Sequence, residues 1–202
     1  MAVKRIIKDA LVLFLITLIA GAALGLTREV TKPIIDAAKE QKTQDAYREV
    51  FPEAAEFQQL TQNDLDLSNK AIDMMGFGDV QIDNGLRAVD AAGNKLGFVV
   101  TATSNEGYGG AVTIIAGIDT VNMQVKGISF LTLNETAGLG MKAKEPAFKD
   151  QFPGKTAATL EVVKTGNAGR KQVDAISGAT RTSKAVTGAL NAAIYFATKC
   201  VE

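Results

Sequence analysis

From Ala10 to Leu26 the chain reads Ala-Leu-Val-Leu-Phe-Leu-Ile-Thr-Leu-Ile-Ala-Gly-Ala-Ala-Leu-Gly-Leu, without one charged residue. Joined to Ile6 and Ile7, this run is long enough to cross a bilayer if Lys8 snorkels and Asp9 stays at the interface. Lys4, Arg5 and Lys8 precede it and put the N-terminus on the cytoplasmic side of a cell (inner) membrane. Everything after Leu26 is then extracytoplasmic. Two other fates stand beside a retained anchor over residues 1–27: a cleaved signal peptide, with Ala20-Gly21-Ala22 as its small-residue site, and a buried core helix. The run stays apolar past that site with no polar stretch between, which favours the anchor. Gly21 and Gly25 would let such a helix pack closely against another.

Composition removes several chemistries. The 202 residues include 47% hydrophobic side chains, 22 basic and 22 acidic ones, no histidine and one cysteine. That suits one moderate domain plus a small appendage. Without histidine, and with Cys200 alone, no Cys/His metal cluster, Ser-His or Cys-His nucleophile pair or intrachain disulfide is available. Neither a metal site nor a catalytic side chain is expected. Cys200 is expected to pack or simply be tolerated. No basic patch interleaved with aromatics marks a nucleic-acid surface.

Beyond the anchor, Thr31-Lys-Pro33-Ile-Ile predicts a second helix with Pro33 near its first position, running to about Val50 before Pro52 stops it. Glu40, Lys42, Asp45, Arg48 and Glu49 make residues 28–50 a solvated helical stalk. Residues 51–68 read as polar and irregular, with Phe57, Leu60, Leu65 and Leu67 as core anchors, and residues 71–84 have no clear pattern. From Leu86 the code changes. Leu86–Asp90, Leu96–Thr103, Ala111–Ile118 and Val125–Leu131 read as strands joined by short connections, which implies an antiparallel meander. Pro146 to Phe152 reads as a short helix with Phe148 and Phe152 inward. Leu160–Thr165 and Gln172–Ile176 read as a hairpin around Asn167-Ala-Gly169. The class is α+β: a twisted, mainly antiparallel sheet with flanking helices over residues 51–202, after one N-terminal transmembrane helix.

The final helix is the most regular. Val186, Ala189, Leu190, Ala193, Ile194 and Ala197 have the spacing of one buried face, predicting a helix from near Ser183 with Thr182 or Ser183 as its N-cap. Its first-turn amides and positive dipole end would face whatever lies beside Thr180, so an anion belongs there. Ser, Gly and Thr before a helix are also ordinary turn and cap chemistry.

The longer string Asp174-x-x-Ser177-Gly178-Ala179-Thr180-x-Thr182-Ser183-x-x-Val186 resembles the attachment sequence of the covalent-FMN domain in the G subunit of Rnf electron-transport complexes and the C subunit of sodium-pumping NADH:quinone reductases. Val50-Phe51-Pro52-Glu53-Ala54, Gly107-Tyr108-Gly109-Gly110 and Glu135-Thr136-Ala137-Gly138-Leu139-Gly140 occur in the order found in the Rnf G-subunit family, so the likeness covers the whole chain. Asn134 and Ala137 depart from it, standing where histidine and proline are common.

By that resemblance, Thr180 carries FMN through a phosphoester placed by a separate flavin transferase, with Ser177, Gly178, Ala179, Thr182 and Ser183 around the attachment. The resemblance also puts Glu135, Thr136, Gly138, Leu139 and Gly140 beside the flavin; the glycines around Tyr108, read on their own, either let backbone approach a ligand or only turn the chain. The implied function is electron transfer within an ion-translocating ferredoxin:NAD oxidoreductase, beside other membrane and flavin or iron–sulfur subunits. The chain alone would show no complete activity. An independent extracytoplasmic, membrane-anchored flavin reductase for a small acceptor is the alternative, and a flavin-free anchored binding module a third.

Overall fold

The computed structural model describes residues 2–164, 166 and 168–201, with side chains from Arg5 onward. Thr165 and Asn167 of the expected hairpin, Lys4 of the basic flank, Met1 and Glu202 lie, wholly or in their side chains, outside the described residues. Two compact units divide the chain at Thr43/Gln44.

Helix α1 (Ala2–Val50) has Pro33 inside it rather than at the start of a second helix. Pro33 removes one amide from the ladder, on an exposed stretch where water can serve the carbonyl one turn back. Thr31 caps no new helix, because its hydroxyl donates to the Thr27 carbonyl at 2.6 Å. Within α1 an 18-residue window reaches a mean hydropathy of 2.4 with none of it buried, so this helix is long and apolar enough to cross a membrane.

In the second unit, β1 (Glu56–Gln59), β2 (Val80–Val89), β3 (Lys95–Ser104), β4 (Val112–Asp119) and β5 (Gln124–Leu133) form one antiparallel sheet in chain order. The expected meander is therefore present, with a fifth strand at its edge. Between β1 and β2 lies α2 (Gln62–Asp73), in the stretch that reads as irregular. Its start is a capping box, in which Thr61 and Asp64 each bond the other's backbone amide. Leu65 and Ile72 are its buried apolar residues, whereas Leu67, expected in the core, is 57% exposed on the opposite side. Asn69 fixes the early part of β2, with its side chain accepting from the Ile82 amide at 2.7 Å and donating to the Ile82 carbonyl at 3.0 Å. That bond pair sits where β2 and β3 slip in register between Ile82 and Asn84, which hides the strand's start from an alternation count.

After β5 come a 3₁₀ turn (Gly140–Lys144) and the single-turn α3 (Pro146–Lys149), with Phe148 and Phe152 buried as expected. Strands β6 (Glu161–Val163) and β7 (Gln172–Asp174) pair in parallel, not as a hairpin. Each has only three residues, so a short connection is enough to return the chain to β6's starting level. Lys155 and Asp174 hold that return: Lys155 Nζ donates to the Gly169 carbonyl at 3.1 Å, and Asp174 Oδ2 accepts from the Ala168 amide at 3.0 Å.

Helix α4 (Thr180–Tyr195), continued by a π-helical turn (Phe196–Cys200), lies against one face of the sheet. Its predicted face is buried, together with Ala185, Ala192 and Phe196. Alternation divides the strands between two cores: Phe98, Val100, Ile114, Ala116 and Ile118 face α4, whereas Leu86, Ala88, Val99 and Ile115 face Ala46, Tyr47, Val50 and Phe51. Each large side chain buried this way contributes about 1.5–3 kcal/mol. The end of α1 is thus part of the folded unit, not solvated stalk. Burial pushes the Cys200 thiol above its ordinary range, against an opposing hydrogen bond with Ser68, so this half-buried cysteine packs as a protonated side chain.

Candidate functional site

The approach to α4 is a tight loop of small residues. The Ala179 amide bonds the Ile176 carbonyl at 2.9 Å, and Gly178 takes φ +76°, a backbone that larger side chains resist. Ser183 secures this turn. Its fully buried hydroxyl accepts from the Ile176 amide at 2.9 Å and donates to the Ala179 carbonyl at 3.0 Å. Helix α4 therefore begins three residues before the expected Ser183, with Thr180 at its first position. Neither Thr182 nor Ser183 caps it. Ala179 occupies the cap position, and no side chain among the described residues bonds the first-turn amides. Because the first helical bond runs from the Ser183 amide to the Ala179 carbonyl, the amides of Thr180, Arg181 and Thr182 have no carbonyl one turn back.

Half-buried Thr180 opens onto a recess of about 420 Å³ with Glu106, Arg181 and Lys184. The Arg181 guanidinium is anchored, its Nε donating to the Glu106 carbonyl at 2.9 Å. Next to it lies a cleft of about 370 Å³ that Arg181 shares. One wall is Glu135, Thr136, Leu139 and Gly140, the other Gly178, Ala179 and Thr182, with Tyr108 at the mouth. That volume suits a small organic ligand. Glu135 ties the two glycine-rich loops together, its Oε1 accepting from the Tyr108 amide at 2.8 Å. Gly109 permits the approach, since a Cβ there would collide with the Asn134 carbonyl. Tyr108 at 72% and Leu139 at 44% exposure leave an aromatic and an aliphatic lip facing outward.

The expected residues thus divide. Tyr108, Glu135, Thr136, Leu139, Gly140, Gly178, Ala179 and Thr182 line the cleft, and Thr180 the adjoining recess. Gly138 (φ +75°), Ser177 and Ser183 line neither: Gly138 and Ser177 are exposed on their loops, and Ser183 works from beneath. Sequence reading missed Glu106, Arg181 and Lys184. Arg181 stands inside the Ser-Gly-Ala-Thr-x-Thr string, and Glu106 directly precedes Gly-Tyr-Gly-Gly, so proximity to each motif was the available signal.

The family described as FMN-binding domain matches residues 107–195, which run from the Tyr108 loop to the end of α4. The family described as RnfG N-terminal region matches residues 1–50. The G subunit of the Na(+)-translocating ferredoxin:NAD(+) oxidoreductase complex of Acetobacterium woodii is 35% identical over 95% of this chain and 91% of its own. The chain belongs to the Rnf G-subunit family. The G subunit of the ion-translocating oxidoreductase complex of Methanosarcina acetivorans is 30% identical over 96% of this chain and 95% of its own. Among solved structures, the C subunit of the Na(+)-translocating NADH-quinone reductase of Parabacteroides distasonis covers 71% of this chain and 77% of its own, at 23% identity and a TM-score of 0.49.

As a member of the Rnf G-subunit family, the chain carries an FMN-binding domain. The residues present fit that cofactor: an uncapped helix N-terminus with two cationic side chains suits a phosphate, and the adjoining cleft with its exposed aromatic and aliphatic lips suits a planar ring.

Proposed function

We propose that this chain is the flavin-carrying electron relay of an ion-translocating ferredoxin:NAD(+) oxidoreductase, with FMN joined through its phosphate to Thr180 by a separate flavin transferase. The supporting observation is the uncapped start of α4, with a threonine hydroxyl at its first position. A phosphodiester on that hydroxyl would supply the acceptor that no side chain of the turn provides, and Arg181 and Lys184 would offset its charge. The flavin itself supplies the redox chemistry. The protein's part is to position and to shield. Ser183 holds the turn that presents Thr180, Glu135 holds the Tyr108 loop against the 135–140 loop, and Leu139 lies over Gly178. A pure relay needs no side chain to move a proton, consistent with a chain that has no histidine.

Arg5 and Lys8 ahead of the apolar run support a single pass with the N-terminus cytoplasmic and the flavin domain outside, beside other membrane, flavin or iron–sulfur subunits. Protease added to right-side-out vesicles should cut within residues 44–202. Protection there, with cleavage in inverted vesicles, would reverse the orientation.

The attachment is tested by intact-mass measurement after denaturation, on chain co-expressed with a flavin transferase and supplied with magnesium and a flavin donor. Wild type should gain one FMN-sized mass and Thr180→Val none, with both folded. If Thr180→Val keeps the mass while Thr182→Val loses it, the bond lies two residues further on.

A further inference from the structure

Thr182 is 1% exposed, its side chain lines the cleft, and its Oγ1 has no hydrogen-bond partner among the described residues. Hydroxyls on a helix ordinarily bond a carbonyl three or four residues back, as Ser183 does to Ala179 and Thr198 to Ile194. Thr182 does not. Instead its oxygen lies over the bare Cα of Gly140, where an added Cβ would stand 2.6 Å from Thr182 Oγ1 and 2.7 Å from Glu135 Oε2. Glu135 spends Oε1 on the Tyr108 amide, so Oε2 and the Thr182 hydroxyl converge on one corner of the cleft without hydrogen-bond partners among the described residues. A hydroxyl at the cleft wall that no carbonyl of its own helix engages is free to meet a ligand's polar atom.

We propose that the Thr182 hydroxyl donates a hydrogen bond to the isoalloxazine ring of the flavin and raises its reduction potential, an inference that rests on the flavin reading of the cleft. Residues two apart on an α-helix point about 200° apart, so Thr182 faces away from Thr180. A ligand tethered at Thr180 reaches Thr182 with its far end, after passing Gly178 and Ala179, and the far end of FMN is the ring. The lips there are Leu139 and Tyr108, which can cover a ring face but leave its edge heteroatoms to be met by Thr182. A donor bonded to the ring stabilises the electrons added on reduction.

Thr187 is the internal control. It too is buried on α4 with an unpartnered hydroxyl, but it does not line the cleft.

The test uses the full chain in detergent, loaded by the transferase. Thr182→Val should carry the wild-type flavin mass. Its flavin should be harder to reduce by about tenfold in the equilibrium, which is about 30 mV for a two-electron couple, with a displaced absorption band. Thr182→Ser should restore both, and Thr187→Val should leave both at wild-type values. In chain made without the transferase, Thr182→Val should melt no lower than wild type, because it removes a buried hydroxyl that bonds nothing. A loaded Thr182→Val with unchanged or raised potential overturns the proposal. So does loss of its flavin mass, which would assign Thr182 to attachment, or a lower melting temperature without flavin, which would assign it to the core. Wild type that gains no flavin mass fails the flavin reading itself and takes this inference with it.

Discussion

The two faces of the five-stranded sheet are buried by different means. Under α4 the core is mostly apolar, with Asn191 bonded to both backbone groups of Leu160 and Ser183 to its turn. Among the described residues several polar groups at the helix start are left open: three amides, the Thr182 hydroxyl and one oxygen of Glu135. On the opposite face the small core around Tyr47, Val50 and Phe51 is closed at its rim by polar clasps. Glu49 pairs with Lys149 and accepts from Ser129 at 2.6 Å, while Lys126 bonds Glu53 at 2.6 Å and lies 5.7 Å over the Phe51 ring. One face satisfies its polar groups internally, and the other keeps several in reserve. Open polarity beside an apolar cleft belongs to binding, whereas closed polarity around an apolar patch belongs to structure.

The largest effects should come from the two cores, and they should separate in the flavin signal. Phe51→Ala removes a large ring that is almost fully buried, and should cost about 3–5 kcal/mol in urea unfolding while loaded protein keeps its flavin absorption. Leu190→Ala, fully buried on α4, should cost about 2–5 kcal/mol and also broaden or shift that absorption, because α4 presents the turn at Thr180 beside the cleft. If Phe51→Ala disturbs the flavin as much as Leu190→Ala, the two faces are one coupled unit and the distinction fails.

Legibility followed the same divide. Strands β3 to β5 were readable as apolar, β-branched runs bounded by short turns, and the buried face of α4 by its helical spacing, and the class and meander follow from them. The start of β2 was not, since a register slip between Ile82 and Asn84 breaks the alternation there. Helix α2 was missed although its signal was present: Thr61 with Asp64 three residues on, then Leu65 and Ile72 at helical spacing. At the site, the loops were found from their glycines and the family likeness. The helix start was misplaced because Thr182 and Ser183 are good caps in isolation. Only the fold reveals that Ser183 is spent on Ile176 and Ala179 and that Thr182 faces the cleft. Arg181 and Glu106 could not be paired by sequence, being brought together by the sheet across 75 residues.

The smallest effect is electrostatic and concerns the clasped face alone. For Glu49, burial pushes the carboxyl up, but the hydrogen bonds from Lys149 and Ser129 and the Lys149 charge outweigh it and leave it below its ordinary range. For Glu53 the Lys126 hydrogen bond is the main cause, also downward, with burial opposing. A carboxyl held low in the folded state is protonated more readily when unfolded. Its contribution is therefore complete above the unfolded value, about 4.3 for Glu, and is lost as the pH falls through the folded value. Both side chains are about half exposed, so screening limits each clasp to about 0.5 kcal/mol. Glu49→Gln should thus lower the urea midpoint slightly at about pH 7 and converge on wild type at about pH 3, with the gap narrowing further in high salt. A gap that persists unchanged across that pH range would mean that Glu49 acts by packing rather than by charge. The clasped face would then be held by apolar burial alone.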